Sequence, residues 1–190
     1  CLNLGGFCNI SYNENRQRRA FDSAPCNMAL NMLAEQKGAP YDADGEWARS
    51  GNRNVVLWNE LNELEYYKKE GTAKSLGKEW YDSHFAPLLE KNNCSEDDKL
   101  RTVTEHIAFQ IGKVLEVHAG AQVLLTGGGA LNTFLVESIQ KETSKQVVVP
   151  DLETVNFKEA IIFAFLGLLR RNDEINVLQS VTGARQDCSS

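Results

Sequence analysis

The sequence predicts an α/β domain with a mixed central sheet and helices on both faces. Three observations carry that prediction: short strand-like runs crowd the beginning of the chain, one long amphipathic helix fills its middle, and strand and helix alternate after Gln122. Runs joined by short turns imply antiparallel neighbours, whereas strand and helix alternating at this pitch imply parallel pairing with right-handed crossovers. The first three strands are therefore expected antiparallel and the last two parallel.

Each element follows from local pattern. Cys1 to Leu4, Phe7 to Tyr12 and Arg18 to Phe21 read as strands, with Asn13-Glu14-Asn15 as the hairpin turn before the third. Pro25 punctuates, Asn27 to Glu35 reads as a helix, and Gly38 to Gly45 is a loop by its breakers. Within that loop Asp42-Ala43-Asp44-Gly45 resembles the opening of a calcium loop, but no Glu stands at the closing position, so a turn is expected. Val55, Leu57, Leu61 and Leu64 recur at helical spacing from Val55 to Tyr67, and a polar loop follows over Lys68 to Thr72. The helix Glu96 to Val117 shows one apolar face through Leu100, Val103, Ile107, Ile111, Val114 and Leu115; Ser95 caps it and Asp98 stands three residues on. Strand Gln122 to Leu125, helix Leu131 to Thr143, strand Gln146 to Val149 and helix Phe157 to Leu169 complete the chain, with no internal repeat.

Length and composition exclude several function classes. The 190 residues suit one domain with a core large enough to fold unaided. A net charge of −6 argues against a nucleic-acid surface, which needs clustered Lys and Arg. Arg16-Gln17-Arg18-Arg19 and Arg170-Arg171 are short and read as solvated ends. Five cysteines make an odd count with no Cys-x-x-Cys spacing, which disfavours a disulfide framework and structural zinc and fits a reducing cytoplasm. His84, His106 and His118 are scattered and receive no ligand role, so no metal site is expected on this chain. The longest apolar run, Ala160 to Leu169, is too short for a membrane span. The chain opens directly into a strand at Cys1, and reads as the C-terminal part of something longer.

Two glycine-rich turns are the candidate ligand sites: Leu4-Gly5-Gly6, and Thr126-Gly127-Gly128-Gly129-Ala130 after the apolar run Val123-Leu124-Leu125. Glycines at a strand end let backbone N–H groups approach a ligand, and a following helix N-terminus favours anionic groups. A flexible turn that only lets strand and helix pack explains the same residues.

The order of elements resembles the ribonuclease-H-like half of the sugar kinase, hsp70 and actin superfamily. Seven stretches bring the chain closer to the C-terminal part of the anhydro-N-acetylmuramic acid kinases: Asn3 to Ile10, Phe21 to Asn27, Tyr41 to Gly51, Lys74 to Glu79, Leu125 to Asn132, Lys158 to Ala164, and Val181 to Ala184, in the family's order. The chain departs from the family pattern at Ala24 and Cys26, where the family has Gly, at Asn31, where it has Asp, and at Leu76, where it has Thr.

The resemblance implies an actin-like ATPase domain over 1–190, the C-terminal domain of a two-domain kinase whose N-terminal domain, with the first phosphate loop, lies outside this chain. It implies ATP and Mg²⁺ as cofactors, an anhydro amino sugar as substrate, a cytoplasmic homodimer, and little turnover by this half alone. Asp22 becomes the general base, activating a water that opens the 1,6-anhydro ring while the freed 6-oxygen takes the phosphoryl group. Read without the resemblance, Asp22 caps the Asn27 helix or makes an Asx-turn. Gly5, Gly6 and Asn9 would form a turn facing the β- and γ-phosphates, with a tight hairpin of positive φ as the alternative. Thr126, Gly127, Gly128, Gly129 and Asn132 would hold adenosine and the α-phosphate. Asn27 and Glu159 would contact the sugar, Glu159 serving first as a cap where Lys158 and Glu159 open the last helix. Lys74 to Glu79 would bound the cleft. A kinase for another amino sugar and a non-catalytic protein of the same fold are the other readings.

Overall fold

The computed structural model describes residues 1–68 and 74–190; the expected polar loop from Lys68 to Thr72 falls almost wholly outside them. A five-stranded sheet runs in the order β3-β2-β1-β4-β5. Its strands are β1 (Leu2–Leu4), β2 (Phe7–Glu14), β3 (Gln17–Pro25), β4 (Gln122–Thr126) and β5 (Gln146–Val148). β1, β2 and β3 pair antiparallel, β4 joins β1 in parallel, and β5 joins β4 in parallel.

Leu2, Leu4, Cys8, Ile10, Phe21 and Leu125 point to one face and are buried. Helices cover that face: α1 (Asn27–Gln36), α2 (Glu46–Ser50), α3 (Val55–Asn62), α4 (Glu65–Lys68), α5 (Lys78–Trp80), a π-helical segment (Tyr81–Phe85) leading into α6 (Ala86–Lys91), α7 (Glu96–Val117) and α8 (Thr133–Lys141). α7 is the hub, packing on α1, α2, α3, α8 and β3. Leu100, Val103, Ile107 and Ile111 on it have no exposed surface, each worth about 1.5–3 kcal/mol of burial. Ser95 Oγ accepts the Asp98 N–H at its start, as its sequence predicts. Over the other face lies α9 (Leu152–Arg171), and the short α10 (Gln179–Thr182) packs on β3.

Several boundaries differ from expectation for definite reasons. The β2–β3 turn is Asn15-Arg16, both with positive φ, a two-residue geometry that lengthens both strands beyond the expected ends. β3 continues past Phe21 because Ser23 is an extra residue, a bulge between the pairs Cys8–Ala24 and Asn9–Asp22. The expected helix Val55 to Tyr67 breaks after Asn62, where the Glu63 N–H closes back on Asn59 and Leu61. Leu131 belongs to a 3-10 turn, Gly128–Leu131, rather than to α8, whose N-cap is Asn132. α9 starts five residues earlier than the expected Phe157, because the Asp151 carboxylate caps it through the Thr154 N–H at 2.8 Å. Glu159 therefore sits in the second turn and does not cap the helix. Asp42 to Gly45 is a turn whose Asp42 carboxylate accepts the Trp47 and Ala48 N–H groups, starting a helix that sequence patterns had hidden.

His106 on α7 is fully buried among Tyr67, Trp58 and Phe85, with Gln110 Nε2 3.3 Å from its Nε2. Its Nδ1 has no partner among the described residues, and burial pushes its pKa down to about 3. The folded state thus refuses a proton that the unfolded chain accepts near pH 6.5. Stability is expected to fall as pH drops below that value towards 3, by up to about 1.4 kcal/mol per pH unit from this group. Urea unfolding across the range should show the slope, and His106→Gln should flatten it by as much as one proton's worth.

Candidate active site

The register of four strands builds a polar row on the sheet face opposite the core. Asp22 stands opposite Asn9, Asn9 opposite Asn3, and Asn3 opposite Thr126, so the row crosses β3, β2, β1 and β4. Asp22 falls in line by the unbroken register that runs from the Asn15-Arg16 turn, and the Ser23 bulge lies just beyond it, shifting by one residue the pairing of Ala24 and Pro25 with Cys8 and Phe7.

Asp22 is held from several sides. Asn9 Nδ2 donates to its Oδ1 at 3.0 Å, the Leu76 N–H to its Oδ2 at 2.8 Å, and Ser75 Oγ lies 3.5 Å from the same oxygen. Its own N–H reaches Lys74 O at 3.1 Å, and Tyr66 Oη donates to its carbonyl at 2.6 Å. The 74–76 segment is thereby fastened along β3 like a short extra strand. Burial and the nearby Asp22 charge hold the Tyr66 phenol well above its ordinary pKa, so it stays a donor. The cap alternative is excluded: the N-cap of α1 is Cys26, no side chain caps that helix, and Asp22 bonds a backbone N–H far along the chain.

The two glycine turns meet at the ends of β1 and β4. The N–H groups of Cys26, Asn27 and Met28 donate to Gly6, Gly5 and Gly6 carbonyls at 2.8, 3.0 and 3.2 Å, which satisfies the start of α1 without a side chain. Neither Gly5 nor Gly6 has positive φ, so the positive-φ hairpin is not the reason for them. The second turn divides its glycines. Gly127 has φ +82°, and a Cβ there would stand 2.7 Å from Leu4 O; a Cβ on Gly129 would stand 2.8 Å from Leu4 Cβ. A Cβ on Gly128 would meet only Asn27 Nδ2, at an ordinary 3.6 Å. Two of the three glycines are thus required by the close packing of β4 on β1, and Gly128 alone is free of that duty.

Gly128 and Gly129 open onto a cavity of about 470 Å³, also lined by Asn27, Asn31, Tyr41, Asp44 and Asn132. That size matches a small-molecule site. Asn132 Oδ1 accepts the Leu135 N–H as the cap of α8, and Asn27 Nδ2 donates to Leu4 O at 3.0 Å. Asn27 therefore lies with the glycine turns.

Two residues that sequence reasoning passed over join the row. A Cβ on Gly5 would lie 3.2 Å from Asn3 Nδ2 and one on Gly127 2.9 Å from Asn3 Oδ1, so the Asn3 amide bridges the turns. Lys158 Nζ donates to Asn3 Oδ1 and, at 2.8 Å, to Thr126 Oγ1. An ammonium only donates, which fixes the amide orientation. Glu159 is exposed and, among the described residues, forms no hydrogen bond or ion pair. The structure brings Asp22, Asn9, Thr126 and the glycines together and leaves Glu159 at the edge of this group.

The mixed sheet with its helices has the ribonuclease-H-like fold of the actin-like ATPases. Two solved structures share the fold: the ADPNP-bound activator of 2-hydroxyisocaproyl-CoA dehydratase from Clostridium difficile, with TM-score 0.54 and 15% identity over 92% of this chain and 62% of that one, and component A of the (R)-2-hydroxyglutaryl-CoA dehydratase of Acidaminococcus fermentans, with TM-score 0.53 and 14% identity over 84% and 57%. The family model for anhydro-N-acetylmuramic acid kinase matches residues 1–190, and the chain belongs to that family. Relatives bearing the name are 32% identical in Sulfurovum sp., over 98% of this chain and 52% of that protein, and 32% identical in Vibrio vulnificus, over 96% and 52%. The chain spans about half the length of these relatives.

The split between the glycines is testable by substitution. Gly129→Ala should lower the urea midpoint, overpacking against Leu4 costing about 1–3 kcal/mol. Gly128→Val should leave the midpoint nearly unchanged and weaken adenine-nucleotide binding in calorimetric titration; equal affinity would move the ligand elsewhere.

Proposed function

We propose that this chain is the C-terminal domain of a two-domain, ATP-dependent kinase of cell-wall recycling, acting on anhydro-N-acetylmuramic acid. The observation that carries the proposal is the placement of Asp22, a carboxylate oriented by Asn9 and the Leu76 N–H, in one row with the two glycine turns. Adenosine would occupy the cavity beside Gly128, with Tyr41 and Asn132 on its walls. The phosphates would run past the turns towards Asp22.

The chemistry follows from that order. Asp22 takes a proton from a water as its oxygen attacks the anomeric carbon of the sugar. The bond from that carbon to the bridging 6-oxygen breaks, and the freed oxygen takes the γ-phosphoryl group of ATP. The products are N-acetylmuramic acid 6-phosphate and ADP. A carboxylate can accept about four hydrogen bonds, so the contacts from Asn9, Ser75 and Leu76 orient Asp22 and still leave a lone pair for the water. Asn27 and Glu159 are the proposed sugar contacts.

The positions where the chain departs from the family pattern bear on the choice of sugar. Ala24 and Cys26 are fully buried, Asn31 lines the cavity beside Gly128, and residue 76 serves Asp22 through its backbone. None of the four changes a side chain that contacts the Asp22 carboxylate, so they leave the arrangement of the base intact.

Among the described residues no group of three or more His, Cys, Asp or Glu could hold a metal ion. The Mg²⁺ that such a kinase uses has no cage here, and its ligands would be nucleotide phosphates, water and groups outside this chain. Nor is any helix among these residues long and apolar enough to cross a membrane.

In the protein with both domains, Asp22→Asn should leave ATP affinity unchanged and lower kcat on the anhydro sugar by about 10²–10⁴-fold, the usual contribution of a general base. Steady-state kinetics beside ATP titration checks this; an unchanged kcat removes Asp22 from the chemistry.

A further inference from the structure

We infer that Lys158 is a phosphate ligand of this site, an ammonium anchored between the two glycine turns that contacts the bound polyphosphate through its remaining N–H. The inference rests on the nucleotide reading above and adds a residue to it.

Among the described residues the geometry is a cation without an anion. Lys158 is half-buried, and its Nζ donates to two neutral oxygens, Asn3 Oδ1 and Thr126 Oγ1. Thr126 Oγ1 in turn lies 3.4 Å from Asn3 Oδ1, closing a triangle of three side chains from α9, β1 and β4. An ammonium has three donors, so one remains. The carboxylate nearest in sequence, Glu159, is exposed and bonds nothing among the described residues. Lys37, Lys78, Lys91 and Lys99 each meet a carboxylate, whereas Lys145, like Lys158, donates to neutral oxygens, in its case two backbone carbonyls. Burial lowers the Lys158 pKa from its ordinary value, with Glu159 opposing, as expected of a charge that has given up water and gained no anion.

Position makes that charge useful. The Asn3 amide fills the gap between Gly5 and Gly127, and Lys158 is seated on that amide. A polyphosphate reaching from the Gly128 cavity to the row would pass this point. Asp22 stands two strands away from Asn3, about 10 Å by the spacing of neighbouring strands, so the cation and the base occupy opposite ends of the row. Phosphoryl transfer depends on neutralising the charge of the phosphates, and the chain as a whole is acidic. Asn3 acts as a positioning residue, holding the ammonium at the junction.

The test is titration of the whole protein, wild type, Lys158→Met and Lys158→Gln, with ATP, ADP, adenosine and inorganic tripolyphosphate at two salt concentrations. Gln can keep a neutral donor to Asn3 and Thr126, so it separates loss of charge from loss of the anchor. Both variants should bind ATP and tripolyphosphate at least about tenfold more weakly and with a shallower salt dependence, and adenosine as the wild type does. If either folded variant keeps wild-type affinity for ATP and tripolyphosphate, or loses adenosine in equal measure, Lys158 only fastens α9 and the inference falls. A wild type that binds none of the four ligands overturns the nucleotide reading itself, a different result from the one that removes Lys158.

Discussion

The parallel pairing of β1 with β4 is the constraint on which the site depends. It sets Leu2 beside Leu125 and Asn3 beside Thr126, residues separated by more than half the chain, and so places the turns that follow both strands side by side. Parallel neighbours finish at the same edge of a sheet, and that edge is where open α/β sheets gather ligands. The closeness is bought with glycine: the Leu4 carbonyl leaves no room for a Cβ at Gly127, and the Leu4 Cβ none at Gly129. Everything polar in the site is then arranged along the face that this pairing leaves free of the core.

From that pairing the alternation of side chains does the sorting. Leu2, Leu4, Cys8, Ile10, Phe21 and Leu125 bury on one face, where α1 and α7 pack, and Asn3, Asn9, Asp22 and Thr126 occupy the other. One irregularity lies next to the row, the extra residue at Ser23. Its hydroxyl donates to Cys8 O at 3.2 Å, so the bulge is internally bonded and its backbone defect is partly satisfied. The register from the β2–β3 turn thus puts the carboxylate on the polar face, and the bulge beyond it sets Ala24 opposite Cys8 in the core.

Local signals were legible and long-range ones were not. The strand directions, the α7 face with its Ser95 cap and both glycine turns could be read because each is written in neighbouring residues. The missed boundaries have local causes too: Asp151 as a cap lay outside the apolar run of α9, and the Asn15-Arg16 turn lacks the usual glycine. Asn3 and Lys158 are a different matter. Asn3 sits inside a strand where any polar residue on the solvent side would look alike, and its place between the turns exists only once β4 arrives. Lys158 meets it across the fold by way of α9, a contact that helical periodicity cannot encode.

α9 shows how much depends on those contacts. Val155 is its one buried residue, and Phe157, Ile161, Phe163, Phe165 and Leu168 are each more than half exposed. A helix of this length gains little from propensity alone and normally takes its stability from an apolar face against the core. Here the apolar side is mostly uncovered by the described residues, and the Lys158 contact with Asn3 and Thr126 links this helix to the sheet. The same ammonium bonds the Asn3 amide that lies beside both glycine turns. Filling the turns with an anion would strengthen the anchorage of α9, and displacing α9 would withdraw the cation, so the packing of this helix and the charge of the site are physically one variable.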